Sequence, residues 1–335
     1  MNFEQFTNWK PHAKSKLLLD AALAAYQEMA DYSPTLRTIY YQLVADNIIL
    51  NTENSYDRLG SLLTRAREGG LFPWDALEDK GRITRLYRFN EDNESVFHTL
   101  PWHIAFDYWG SQSHYVEVWV EKQAQEGAVK IACEEYGVPW LACKGYVSAT
   151  AMYDAGKRFE EKNAEGKQCV LIHLGDHDPS GIDMTRDNLE RVRMFSRLSD
   201  EEFTISRIAL NMDQIKANNL PPNPAKVTDS RFADYKKKFG SKSWELDALK
   251  PKVMCDMIRE EIQTYIDKDA WDEVAAEEDE ERAPLVWAAN HPDKMIAFAI
   301  EQMNAPKDPE PSGDGGGSTS TGGRGGNEDR NHHLR

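Results

Sequence analysis

Apolar positions along the chain follow a helical period up to about residue 80 and a different one from residue 114 onward. Across the first part they recur every three or four residues. KSKLLLDAALAAYQEMA predicts one helix, and SPTLRTIYYQLVADNIIL predicts a second with Ser33 as N-cap and Pro34 in its first turn. NSYDRLGSLLTRAREGG predicts a third that stops at Gly69 and Gly70. GRITRLYRF then alternates as a strand or hairpin arm does. Three helices followed by a β segment predict a winged-helix module of the helix-turn-helix type.

From His114 short apolar runs alternate with amphipathic stretches. HYVEVWVE, VPWLACKG, QCVLIHLG and FTISRIAL read as strands. Between them QAQEGAVKIACEEYG, SATAMYDAGKRFEEKN (capped by Ser148) and SGIDMTRDNLERVRMF read as helices. This alternation predicts a parallel sheet, buried on both faces, whose sites lie beyond the carboxyl ends of its strands. After the loop NNLPPNPAK, residues 228–305 read as helical, most clearly in SWELDALKPKVMCDMIREEIQTYI. From Pro306 the chain is too poor in apolar residues to offset the entropy of ordering, which predicts a flexible tail. Its GGRGG reads as linker, with nucleic-acid contact as the alternative. The expected fold class is therefore α/β: a winged-helix DNA-binding domain over 10–100, a Rossmann-like domain over 110–215, a helical region over 216–305 and a disordered tail over 306–335. No internal repeat is apparent.

Composition narrows the class. No stretch approaches the roughly 18 to 20 apolar residues of a membrane span, and MNFEQFTNWK lacks the basic start and apolar run of a signal peptide. A cytoplasmic protein without a membrane partner is expected. Cys133, Cys143, Cys169 and Cys255 are scattered, which predicts reduced, mostly buried thiols. The net charge of −16 excludes a protein that coats nucleic acid through bulk electrostatics. Much of that acid lies in DKDAWDEVAAEEDEE, residues 267–281, so a local basic face elsewhere is compatible with it. The block itself reads as a solvated face, with DNA mimicry or docking of a basic partner as alternatives.

The candidate chemistry lies in VLIHLGDHDPSG, residues 170–181, where a buried strand ends on Asp176 and Asp178. Two aspartates one residue apart in a strand-end loop offer hard oxygen ligands for Mg²⁺, with Mn²⁺ as an alternative. Glu121 closes the first strand in VWVEKQA, and neighbouring parallel strands end along one edge, so a third carboxylate can face the pair. Crowded carboxylates repel one another unless a cation balances them. The competing account is a D-x-D that caps the next helix or makes a turn. His177 is expected to be a bystander, because imidazole is a poor magnesium ligand.

VEK after one strand and GDHDPSG after a later one resemble the Toprim domain, in the form carried by the topoisomerase VI A subunit and its relative, the meiotic double-strand-break transesterase. CKGY, residues 143–146, falls where that family has a similar Lys-Gly stretch, although its continuation VSATAMYD departs from the family pattern. The family places a winged-helix domain before its Toprim domain, with a catalytic tyrosine in a segment resembling Arg-x-x-Tyr-Tyr. This chain has LRTIYYQL, with Arg37, Tyr40 and Tyr41, in the same order. At 100° per residue Leu36, Ile39, Tyr40 and Leu43 share the core-facing stripe. Tyr41 falls off it, one turn from Arg37, and is the expected nucleophile; the alternative is that both tyrosines pack. On the third helix Leu59, Leu62, Leu63 and Ala66 predict the buried side. Arg58, Ser61 and Arg65 are left on an opposing face suited to DNA, with Lys80, Arg82, Arg85 and Arg88 extending the patch as a wing. Glu245 and Asp247 in SWELDAL read as helix capping and surface charge, with outer-shell carboxylates as the alternative.

The resemblance implies Mg-dependent DNA cleavage by transesterification, with Tyr41 as nucleophile, Arg37 stabilising the transition state or lowering the phenol pKa, and Lys122 contacting phosphate. It implies metal ligation by Glu121, Asp176 and Asp178. It also implies a homodimer that pairs the tyrosine of one protomer with the metal site of the other, on DNA and so nucleoid-associated when bound. The sequence has no Gly-rich ATP-binding motif, so a separate ATPase or recruitment partner is expected. Two other functions stay open: a hydrolytic Toprim endonuclease with a structural Tyr41, and a non-cleaving DNA-binding or sensing subunit.

Overall fold

Three helices open the chain: α1 (Ala13–Met29), α2 (Leu36–Ala45) and α3 (Glu53–Glu68). Leu19, Ala22 and Met29 of α1 meet Ile39, Tyr40 and Leu43 of α2 and Leu59, Leu62, Leu63 and Ala66 of α3 in one apolar core. Helix α2 starts later than the sequence predicts. Ser33 is left-handed, at φ 45°, and Thr35 is the cap, its hydroxyl accepting from Thr38 N at 3.2 Å. The physical reason is Pro34, which disfavours helical geometry in the residue before it. Thr52 caps α3 and Gly69 ends it.

This computed structural model describes residues 3–77, 92–225 and 228–304. The expected strand GRITRLYRF, with Lys80, Arg82, Arg85 and Arg88, and the tail from Pro306 lie outside the described residues.

After α4 (Asn93–Thr99) the α/β alternation follows: β1 (His114–Val120), α5 (Glu126–Glu134), β2 (Trp140–Ala142), α6 (Ala149–Ala164), β3 (Gln168–Leu174), α7 (Pro179–Ser196) and β4 (Phe203–Ala209). The four strands are parallel, in the order β2-β1-β3-β4. Their two-residue period sorts side chains cleanly. Val116, Val118, Val120, Val170, Ile172 and Leu174 face the core shared with α5 and α10, described below. Tyr115, Trp119, Cys169 and Leu171 face the core shared with Met152 and Phe159 of α6 and Val192 of α7. Val120 is in register with Leu174, and Glu121 N donates to Leu174 O at 2.9 Å, so β1 and β3 end side by side.

Beyond β4 come α8 (Met212–Ala217), the two-residue strand β5 (Asn223–Pro224), α9 (Phe232–Phe239) and β6 (Lys242–Ser243), which pairs antiparallel with β5. Helices α10 (Pro251–Gln263), α11 (Lys268–Ala289) and α12 (Pro292–Asn304) follow, giving the expected helical C-terminal region. One part of that expectation is corrected. SWELDAL does not begin a helix: Trp244 bridges His177 in both directions at 2.9 and 3.0 Å, and Leu246–Ala248 form a 3-10 turn. Lys250 precedes Pro251, so α10 begins only there. The acidic block forms most of α11. Most of it is exposed, but Glu278 is buried, accepting from Phe106 N at 2.8 Å and pairing with Arg282. Cys133, Cys169 and Cys255 are buried, and all four cysteines are free thiols. Among the described residues no helix is long and apolar enough to cross a membrane.

Candidate functional site

The loop after β3 is held from three sides. Asp178 caps α7, Oδ1 accepting from Gly181 N at 2.6 Å and from Ser180 Oγ at 2.9 Å, while Pro179 fills the first turn. The capping account of this aspartate is therefore realised in the structure. A Cβ on Gly181 would stand 2.3 Å from Asp176 O, so the start of α7 presses directly on the loop backbone. Beneath the loop Arg207 of β4 donates to Gly175 O (2.9 Å), Asp176 O (2.7 Å), Gly181 O (3.0 Å) and Thr185 Oγ1 (2.7 Å). Burial pulls that guanidinium down to about 10.

This frame sets the carboxylates. Glu121 Oε2 accepts from Asp176 N at 2.8 Å. Asp176 Oδ1 accepts from Leu246 N at 2.8 Å, and its Oδ2 lies 2.7 Å from Lys122 Nζ. Burial pushes the carboxyls of both Glu121 and Asp176 up, with the charge of Asp178 adding to the rise at Glu121 and those of Glu121 and Glu245 adding to it at Asp176. His177 turns away into Tyr235, Phe239 and Trp244, with Nδ1 2.9 Å from Tyr235 Oη, as a residue outside the site does.

Lys122 is the hub. Besides Asp176 it contacts Glu245, and Asp247 Oδ2 lies 3.2 Å away. Asp247, whose side chain is 0% exposed, also takes Arg37 Nε at 2.6 Å and Gln125 Nε2 at 2.6 Å. Burial would raise its pKa, but Lys122 and Arg37 together hold it below the ordinary carboxylate range. Burial likewise disfavours the charge on Lys122, and the three carboxylates around it more than restore it. Arg37 Nη2 reaches Glu245 Oε2 at 3.4 Å. Surface charge and capping therefore do not describe Glu245 and Asp247: they tie α2 to the end of β1.

Tyr41 differs from its expected placement. It is 9% exposed, a member of the first core rather than a solvent-facing phenol, because the Leu246–Ala248 turn packs on α2 and covers that side of the helix. Its ring meets Tyr40 edge-on at 5.1 Å and carries the Arg37 guanidinium 5.3 Å from its centroid. Burial pushes its phenol up to about 12, with Glu245 adding to the rise and Arg37 and Lys122 opposing it. Tyr40 packs as its stripe predicts, its hydroxyl 3.0 Å from Asn51 Oδ1 and 3.1 Å from Thr52 O. Arg58, Ser61 and Arg65 are exposed on α3 opposite its buried leucines.

A hard divalent cation suits the donor chemistry. Glu121 Oε1 and Asp178 Oδ2 accept no hydrogen bond from a described residue, and an added positive charge would offset the burial and the neighbouring carboxylates that raise Glu121 and Asp176. Asp176, in contrast to its expected role, has both oxygens engaged, and among the described residues no three His, Cys, Asp or Glu side chains converge as a ready metal cage.

Sequence reasoning missed Arg207, Gln125 and the roles of Glu245 and Asp247. The signal for Arg207 was a charge inside FTISRIAL, an otherwise apolar strand. No protein-family model, curated protein or solved structure matches the chain.

Proposed function

We propose that the chain cleaves DNA by tyrosine transesterification, as a relative of the topoisomerase VI A subunit in which the first three helices belong to a winged-helix DNA-binding domain and the parallel sheet to a Toprim domain. One observation carries the reading. Arg37, whose guanidinium lies over the Tyr41 ring, shares the Asp247 carboxylate with Lys122, which also touches Asp176, so a phenol, a guanidinium, an ammonium and carboxylates from four separate segments meet at the carboxyl edge of the sheet.

In this reaction Tyr41 Oη attacks the phosphorus of a backbone phosphodiester and the bond from phosphorus to the deoxyribose oxygen breaks. The phenolic proton passes to solvent, and the leaving oxygen takes one up. The phosphotyrosyl ester conserves the bond energy for religation. A phenol at about 12 keeps its proton at neutral pH, and the charges of Arg37 and Lys122 favour its release at the moment of attack. The same two cations stabilise charge on the phosphoryl oxygens. Mg²⁺ or Mn²⁺, held by Glu121 and Asp178 beside Asp176, would supply further neutralisation of that charge. Arg58, Ser61 and Arg65 provide the DNA-facing side of α3. In this reading Tyr41 works with the acidic cluster of its own chain, in contrast to the cross-protomer pairing that the resemblance implies. Strand passage by a homodimer would need a separate ATPase.

A second reading is favoured by the burial of Tyr41: a hydrolytic endonuclease in which water is the nucleophile and the tyrosine packs. Incubation with end-labelled supercoiled DNA and Mg²⁺ or Mn²⁺, stopped with detergent, separates the two. Label that stays with protein until proteolysis, and is lost in Tyr41→Phe and in Asp176→Ala, supports transesterification. Free cut ends that survive Tyr41→Phe but not Asp176→Ala support hydrolysis. The absence of any cut overturns both and leaves a DNA-binding or sensing subunit.

A further inference from the structure

We infer that the Glu245 carboxylate occupies the seat of a substrate phosphate, closing the Arg37–Lys122 cation pair until a phosphodiester displaces it. The inference rests on the phosphodiester reading of this site and adds a built-in gate to it.

A single oxygen does the bridging. Glu245 Oε2 contacts both Arg37 Nη2 and Lys122 Nζ, so the two cations are already spaced to share one anion. The three carboxylates around them differ in how firmly they are fixed. Asp247 is fully buried and both its oxygens are bound, one by Gln125 and the other by Arg37 and Lys122. Asp176 is buried and tied at one oxygen to a backbone amide. Glu245 is 26% exposed, and its Oε1 accepts no hydrogen bond from a described residue. It is the carboxylate of the three that solvent reaches and that can leave.

Its departure needs only side-chain rotation. The backbone on either side is pinned, at Trp244 by the bridge to His177 and at Leu246 by the amide bond to Asp176. The Arg37 side chain that it leaves is 45% exposed, and the planar fork of N–H donors on its guanidinium matches phosphate oxygens. A phosphodiester carries one negative charge, as the carboxylate does, so the exchange leaves the charge of the cluster unchanged. An anion held there lies beside Tyr41, whose ring is already under the same guanidinium. Glu245 thus excludes stray anions weakly enough for a correctly placed backbone to displace it.

The test is binding, with no cleavage required. Inorganic phosphate and a dinucleoside monophosphate with one phosphodiester are titrated calorimetrically into the full-length protein, into Glu245→Gln and into Glu245→Ala, each checked for an unchanged melting profile. Removing the competing charge should tighten binding of both probes by on the order of tenfold, the effect of one charge-assisted hydrogen bond. Adding Arg37→Ala to Glu245→Gln should erase the gain. Equal affinities in the parent and both Glu245 variants, or a gain that survives loss of Arg37, would overturn the gate. Loss of the covalent DNA complex with the binding gain intact would sink the transesterase reading and spare the phosphate seat.

Discussion

Arg37 Nε donates to Asp247 Oδ2 at 2.6 Å, joining residues 210 positions apart. Through that carboxylate the first helical region, the end of β1 and the segment before α10 act as one unit. Asp247→Ala would leave Lys122 without its most buried counter-charge. A loss of about 3 to 5 kcal/mol in urea unfolding is expected, the scale for breaking a buried pair from one side. Arg37→Ala, whose side chain is far more exposed, should cost about 1 kcal/mol or less. Equal costs for the two variants would contradict the hierarchy.

The two adjacent tyrosines should separate function from packing. Tyr40→Phe removes a hydroxyl bound at Asn51 and Thr52, and about 1 kcal/mol of stability should go with it. Tyr41→Phe breaks no hydrogen bond to a described residue, so thermal unfolding should barely change, while on the proposed transesterase reading the protein-linked DNA product should disappear. A Tyr41→Phe protein that melts early would assign that hydroxyl to the scaffold instead.

Gly181 is demanded by close approach rather than by backbone torsion. Gly181→Ala must push α7 away from Asp176 O, and overpacking of this kind costs about 1 to 3 kcal/mol. Because the displaced carbonyl belongs to Asp176, the proposed cleavage should be lost even where the variant stays folded. Unimpaired cleavage in this variant would show that the loop tolerates displacement.

His173 sets an acid limit. It is fully buried on β3, with Nδ1 2.9 Å from Thr185 Oγ1, and burial lowers its pKa to about 3 from its ordinary 6.5. The unfolded chain therefore binds a proton below pH 6.5 that the folded chain refuses. Stability from this group is fully present above pH 6.5 and is lost as pH falls toward 3, by up to about 1.4 kcal/mol per pH unit. The raised carboxyls of Glu121 and Asp176 act with the opposite sign, so the readout is the difference between the parent and His173→Gln. The variant should lose stability less steeply between pH 6.5 and 5, and parallel curves would reject the buried neutral imidazole.

Local pattern carried most of the fold. The largely apolar runs of β1 and β3 and the helical stripe of α3 were legible because those residues meet a core wherever they face it. So was the meeting of Glu121 with the D-x-D loop, since adjacent parallel strands share an edge. Two things were not legible. Tyr41 looked outward because helical periodicity describes a helix alone, and what covers it arrives more than 200 residues later. Asp247 looked like surface charge because its partners, Arg37, Lys122 and Gln125, are remote in sequence and nothing local announces burial.

The long-range closure at Asp247 also orders events in time. Pairing across 210 residues is entropically late, so the helices and the sheet can form before the segment around Glu245 docks. A chain emerging from the ribosome therefore carries its tyrosine and its D-x-D loop well before the cation cluster between them is complete. The carboxylates that fix Arg37 and Lys122 in place, Glu245 and Asp247, are thus the last members of the cluster to arrive in the growing chain.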